Sequence, residues 1–325
     1  MSDKKKVVVT GAAGFIGMHL TELLLNRNFE VVGIDNLKPS YGGNWSKLRK
    51  DYLENKFQIK IQELDLANNS NLEELTQFMR NSDFVIHLAA WPGVRFSQTN
   101  PHEYSQANLN AFGNVVEAVR ETRPEKFLFA SSSSIYGDLG SHGAVREIEA
   151  TGLNLKSFYA ATKWSNELLA QQHQIITQIP SVALRFFTVF GEFGRPDMAY
   201  WNFLENTYLG QPISLYGPTG GSRNYTYVKD AVNIVFKLLS SDVSGYEAVN
   251  VSCGEPMETI EMLNLLGFSI GKEPIIEITE RPTVDVEKTW ADLTKIESLA
   301  GITLQTPPGE AINNFVNWYL KEVIK

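Results

Sequence analysis

The chain has 325 residues, 43% of them hydrophobic and 20% charged, the proportions of a folded soluble protein with one large or two moderate domains. A formal charge of −8 leaves no basic face for a phosphate backbone, which excludes generic nucleic-acid binding but allows a local basic pocket for a small phosphorylated ligand. A single cysteine, Cys253, excludes an intrachain disulfide framework, and no apolar run reaches the length of a membrane span.

The first residues pass from three lysines directly into Val7-Val8-Val9, with no apolar leader, so a cytoplasmic protein is expected. The first strand covers 6–10 and a helix follows from Phe15 to Asn26. A second strand covers 30–35 and a third 57–65, with a helix over 72–80. The fourth strand, 83–90, leads into a long helix ending near Glu121; the fifth, 126–132, precedes a helix from Phe158 to Thr177, and 181–187 is the sixth. Near-continuous apolar strands separated by helices predict a parallel sheet covered on both faces, a doubly wound α/β nucleotide-binding fold. Beyond Phe190 the rhythm loosens into long polar, glycine- and proline-bearing segments. We expect residues 1–185 to form the dinucleotide-binding domain, rejoined by about 225–253, and 186–325 to form mainly a smaller mixed α/β ligand lobe. Cys253, inside an apolar run, reads as a buried small hydrophobe.

Gly11, Gly14 and Gly17 lie between the first strand and its helix, where glycines permit a tight turn, close approach to a pyrophosphate and helix–strand packing. The phosphates would sit on the helix N-terminus, at Phe15 and Ile16, where free N–H groups favour anions. Asp35 ends the next strand and can accept from a ribose diol while repelling a 2′-phosphate. With Asn36-Leu37 next and no arginine, the expected cofactor is NAD.

Tyr159 and Lys163 stand four apart on a predicted helix and so share one face. For the phenol to act as a base near neutrality its pKa must fall by roughly 2–3 units, about 3–4 kcal/mol. A nearby ammonium and a positively charged nicotinamide would act in that direction. Upstream, the fifth strand ends in four serines, Ser131 to Ser134.

This combination resembles the extended short-chain dehydrogenase/reductase superfamily, the NAD-dependent sugar-nucleotide epimerases and dehydratases. The resemblance places Asp65 and Leu66 by the adenine, Leu88, Ala89 and Ala90 by the cofactor phosphates, and Asn108 near the helix carrying the tyrosine. It makes Ser132, Tyr159 and Lys163 the catalytic set, Lys163 also holding the nicotinamide ribose, and Ser131 a brace for the strand end. His87 reads as a core histidine rather than a base. Ser133 and Ser134 occupy positions where related dehydratases carry an acid and a base and related decarboxylases keep a glutamate. Hydroxyls cannot replace tuned carboxyls, which leaves oxidation and re-reduction at sugar carbon 4.

Two further stretches, Trp91–Leu109 and Leu184–Phe203, are similar to UDP-glucuronate 4-epimerases. The similarity implies a homodimer acting on a UDP-sugar, UDP-glucuronate, whose carboxylate Ser133, Ser134, Thr188 and Arg195 would hold. Arg195 also suits a hinge salt bridge. Arg223 and Arg281 would contact the diphosphate, although the sequence after Arg281 departs from the family pattern by one extra residue and a missing glycine. The rival readings are another sugar-nucleotide enzyme, or a non-catalytic protein that binds NAD and a sugar nucleotide.

Overall fold

The computed structural model describes residues 4–39, 43–301 and 306–324. In chain order, its first half contains β1 (Lys6–Thr10), α1 (Phe15–Asn26), β2 (Glu30–Asp35), α2 (Trp45–Phe57), β3 (Ile61–Glu63) and α3 (Leu72–Met79). Next come β4 (Phe84–His87), α4 (Pro101–Tyr104), α5 (Ala111–Thr122), β5 (Lys126–Ser132), α6 (Phe158–Thr177) and β6 (Ser181–Phe186). The second half runs β7 (Thr188–Phe190), α7 (Ala199–Leu209), β8 (Pro212–Tyr216), β9 (Ser222–Arg223), β10 (Tyr225–Tyr227), α8 (Val228–Leu239) and β11 (Tyr246–Val251). It closes with β12 (Met257–Glu258), α9 (Thr259–Ile270), β13 (Ile275–Thr279), α10 (Thr294–Ala300) and α11 (Pro308–Glu322).

Seven strands form one parallel sheet in the order β11-β6-β5-β4-β1-β2-β3. Alternate strand residues point to opposite faces, and here both faces are dry. Val7, Val9, Ile86 and Leu128 pack on α1 and α8; Val8, Val85, Phe127 and Phe129 pack on α3, α5 and α6. Each such side chain contributes about 1.5–3 kcal/mol on burial, which explains why these strands are unbroken apolar runs. The chain order reverses between β1 and β4, the switch point at which doubly wound sheets open a crevice.

The later segments form three two-stranded pairs, β7 with β10, β8 with β13 and β9 with β12. The chain also returns to the main sheet, because β11 pairs with β6 and α8 packs against α1. Tyr200, Trp201 and Phe315 of the later helices belong to the same buried cluster as Val9 and Leu128, so the later helices share the core of the main sheet.

Two local expectations are corrected. Helix α2 was not anticipated, since its buried positions are only Arg49 and Leu53 and it has no apolar stripe. The third strand is limited to Ile61–Glu63 rather than 57–65, because α2 runs through Phe57 and is capped by Gln58 at φ 55°.

Candidate active site

At the β1–α1 turn, Gly11 has φ +72°, and a Cβ there would lie 2.6 Å from the Ala89 amide nitrogen. Only glycine fits where this turn meets the end of β4. Gly17 is equally constrained: a Cβ would stand 1.9 Å from the Gly11 carbonyl oxygen, so α1 and the turn could not close together. The groove above the turn is lined by Gly11, Gly14, Phe15, Asp35, Asn36, Asp65, Leu66, Leu88, Ala89 and Ala90. Ile16 and Gly17 lie behind it, Ile16 packing on the core.

Asp35 accepts hydrogen bonds from the Ala13 amide (3.0 Å) and the Leu37 amide (2.9 Å). Burial pushes its carboxyl up, while those two amides and the Arg49 charge pull it back. Asp65 spends one oxygen on its own turn, accepting from Ala67 at 3.0 Å. Glycines that leave the backbone bare, a helix N-terminus and a carboxylate at the next strand end together fit a dinucleotide such as NAD.

Helix α6 begins at a Ser157 cap, whose Oγ accepts from Ala160 N at 3.0 Å. The cap places Tyr159 and Lys163 in the first turns, Lys163 buried and Tyr159 partly so. Ser132, at the end of β5, lies beside the Tyr159 phenol and pulls its pKa down. Lys163 donates to the Ala130 carbonyl at 3.0 Å, and its Nζ lies 5.9 Å from the Tyr159 ring centre. Burial pushes Lys163 down to about 8. Burial also raises the Tyr159 phenol, against Ser132 and the Arg195 charge. A positive charge brought by oxidised nicotinamide would act with these groups to lower the phenol.

Asn108 lies in a π-helical turn, Ser105–Asn110, between α4 and α5. It accepts from the Trp91 amide at 2.7 Å and donates to Thr162 Oγ1 at 3.1 Å, tying the 91 loop to α6 beside Tyr159. His87 shares a 2.7 Å hydrogen bond with Thr10, and burial, with the Lys163 charge, holds it down to about 3. It is a neutral core histidine.

The serines divide their work. Ser131 contacts Glu167, whereas Ser132 Oγ bonds Ser134 through its hydroxyl (3.1 Å) and amide (3.2 Å). Ser133, Ser134 and Thr188 all lie just past the ends of β5 and β6, which are adjacent and pair up to Ser132 opposite Phe186. Arg195 lines the dinucleotide groove, its guanidinium forked onto Asp197 at 3.0 and 2.6 Å. This partner lies two residues away, within the same loop.

Arg223 donates to the carbonyls of Ser222, Val286 and Glu287, and Arg281 to those of Val286 and Tyr216. Both fasten the 281–288 loop. Arg95 joins them from the other lobe by a salt bridge to Asp285, and it stacks over Tyr216 at 5.2 Å. The three guanidiniums thus gather at one loop, with Asp285 bonded to Arg95 and near Arg223. Arg95 received no role from the sequence, although it lies in the Gly-Val-Arg-x-Ser stretch. Arg49 and Glu167 gave no signal, because a lone charge on a helix reads as a solvated face.

A dinucleotide groove meeting a Ser-Tyr-Lys set at the sheet switch point defines an enzyme of nicotinamide-dependent redox chemistry. Residues 7–252 match the NAD-dependent epimerase/dehydratase family, and the chain belongs to that family. It is 31% identical to a probable UDP-glucuronate 4-epimerase of Rhizobium meliloti, over 97% of this chain and 96% of that one. It is 33% identical to a UDP-glucuronate 4-epimerase of Thermodesulfobacterium geofontis, over 96% and 95%. The crystal structure of the Bacillus cereus UDP-glucuronic acid 4-epimerase, in complex with UDP-glucuronic acid and NAD, superposes with a TM-score of 0.89 at 29% identity. That match covers 97% of this chain and 99% of the other.

Proposed function

We propose that the chain is a UDP-glucuronate 4-epimerase, interconverting UDP-glucuronate and UDP-galacturonate. The observation that carries this reading is the hydroxyl-only strand end, Ser132–Ser134, beside Tyr159. Glu167, the carboxylate that touches this serine run, is committed to Arg185 and Ser131. Without a tuned carboxyl there, removal of water across carbons 5 and 6 has no acid–base pair.

Gly11, Gly14, Phe15, Asp35, Asn36, Asp65, Leu66 and the Leu88–Ala90 backbone would hold NAD. Bound NAD supplies a hydride acceptor at sugar carbon 4 and then the hydride donor to the opposite face. Tyr159 takes the 4-hydroxyl proton and returns it after the keto sugar has turned over. Ser132 hydrogen-bonds the reacting oxygen, and Lys163 holds the nicotinamide ribose and adds positive charge. Ser133, Ser134, Thr188 and Arg195 grip the sugar carboxylate, which keeps the β-keto acid from losing carbon dioxide. Arg223, Arg281 and Arg95 hold the diphosphate.

The working form in this reading is a homodimer. Support comes from α6, which leaves Leu168, Leu169 and Ile176 exposed. A cytoplasmic location agrees with the single, buried cysteine, whose thiol burial pushes up to about 12.

Turnover in deuterium oxide tests the reaction. Hydride that leaves carbon 4 and returns to it gives product without solvent deuterium on carbon, and no free NADH accumulates. Deuterium at carbon 5, or carbon dioxide released with each turnover, would overturn the epimerase assignment. Inertness toward every sugar nucleotide would favour a binding protein.

A further inference from the structure

Arg49, on the helix that the sequence did not reveal, is 4% exposed. Burial pushes its guanidinium down to about 10, Arg195 pushing the same way while Tyr200 and Asp35 oppose. Among the described residues, no carboxylate forks onto it. Its Nε donates instead to the Phe193 carbonyl and its Nη2 to the Gly194 carbonyl, each at 2.9 Å. A desolvated cation spent on two main-chain oxygens of another lobe marks those oxygens as worth fixing.

The loop they belong to is constrained from every side. Phe193 has φ +55°, an unfavourable backbone for a bulky side chain that persists only where the surroundings impose it. Its ring is wedged between Tyr52 and Trp318, with both ring centres 5.0 Å away. At Gly194 a Cβ would meet the Tyr200 hydroxyl at 2.3 Å, and that hydroxyl accepts from the Arg195 amide at 3.3 Å. The next side chain out of this clamp is Arg195. Arg49 and Arg195 line the same groove as Asp35, so that strand end and the Arg195 loop meet through one guanidinium.

We propose that Arg49 is a positioning residue for substrate selection: by gripping the 193 and 194 carbonyls from the cofactor lobe, it aims Arg195 at the sugar carboxylate. The proposal rests on the reading of Arg195 as a carboxylate ligand. It makes preference for an acidic sugar depend on a residue that touches no part of that sugar. It also couples that preference to the strand that holds the cofactor.

The test uses the NAD-loaded protein with Arg49→Met, Arg49→Lys and Arg195→Ala, comparing Kd for UDP-glucuronate and UDP-glucose by calorimetry. Bound NAD and Tm are measured alongside. Arg49→Met removes both carbonyl bonds, and we expect the preference for UDP-glucuronate to fall about tenfold, the scale of one charged hydrogen bond, with NAD retained. Arg49→Lys keeps the charge but puts its donors on a single nitrogen, and should fall between. A purely structural role would lower Tm in both variants and leave the ratio of the two affinities unchanged. If Arg195→Ala collapses the preference while both Arg49 variants keep it, the positioning role is wrong and the carboxylate reading stands. If Arg195→Ala itself leaves the preference intact, the carboxylate reading fails and takes the proposal with it. Should Arg49→Met not fold, a wild-type ratio in Arg49→Lys is decisive against it.

Discussion

Arg185 and Glu167 form a bidentate ion pair, Nε to Oε1 at 3.0 Å and Nη2 to Oε2 at 2.7 Å, with both side chains 4% exposed. Ser131 faces Arg185 across the β5–β6 ladder and Arg185 faces Asn250 across β6–β11, so one polar row crosses the sheet end. Glu167 reaches this row one turn beyond Lys163, and Ser131 contacts it. The pair therefore sets the catalytic helix against the serine strand. Removing one partner leaves an uncompensated buried charge, so Glu167→Met should destabilise by about 3–5 kcal/mol. Adding Arg185→Met should recover part of that loss. Urea denaturation of the singles and the double checks it, and simple additivity would deny the coupling.

Tyr159→Phe should abolish epimerisation in a protein that stays folded with NAD bound. The substitution removes only the hydroxyl that Ser132 meets. Product assays alongside absorbance of the bound cofactor decide the point, and more than a few per cent residual activity would remove Tyr159 from its role.

Thr188→Val removes a hydroxyl that the carboxylate reading uses while keeping shape. UDP-glucuronate should bind about ten- to a hundredfold more weakly, the worth of a hydrogen bond to a charged group. UDP-glucose should be little affected. Equal losses on both ligands would contradict the placement of the carboxylate.

Gly17→Ala puts a methyl 1.9 Å from the Gly11 carbonyl oxygen and should cost the protein its NAD. Asp35→Ala is milder, opening the ribose site without moving the turn. Cofactor content after purification, with and without added NAD, should rank the wild type first, Asp35→Ala next and Gly17→Ala last.

His87 predicts an acid sensitivity. Its folded pKa, about 3, lies below its ordinary 6.5, so the unfolded chain protonates first as pH falls. The stability it confers is complete above about 6.5 and is lost progressively toward 3. His87→Gln should flatten the fall of Tm between pH 6.5 and 4. His19 and His173, also held low by burial, retain their share. An unchanged slope would show that His87 is not the source.

The parallel sheet and its nucleotide turn were legible in the sequence because they depend on local chemistry. Val7–Val9 and Phe127–Phe129 must be apolar to lie between two helix layers, and Gly11 and Gly17 have no substitute where a methyl would strike backbone. Tyr159 and Lys163 were readable as a pair because helical spacing puts them on one face and a strand ending in serines precedes them on a nucleotide-binding fold. What the local pattern does not hold is which charged side chain faces inward. Arg49 and Glu167 look like surface residues in sequence, and they and Arg185 are buried because partners from other segments satisfy them. Arg49 finds its acceptors 144 and 145 residues away, and Arg185 meets Glu167 across 18. The Tyr159 phenol follows the same rule: its spacing to Lys163 is local, but desolvation by the assembled lobes sets its pKa. Tertiary structure alone decides such matters, because the cost of burying a charge and the groups that offset it belong to the packed environment.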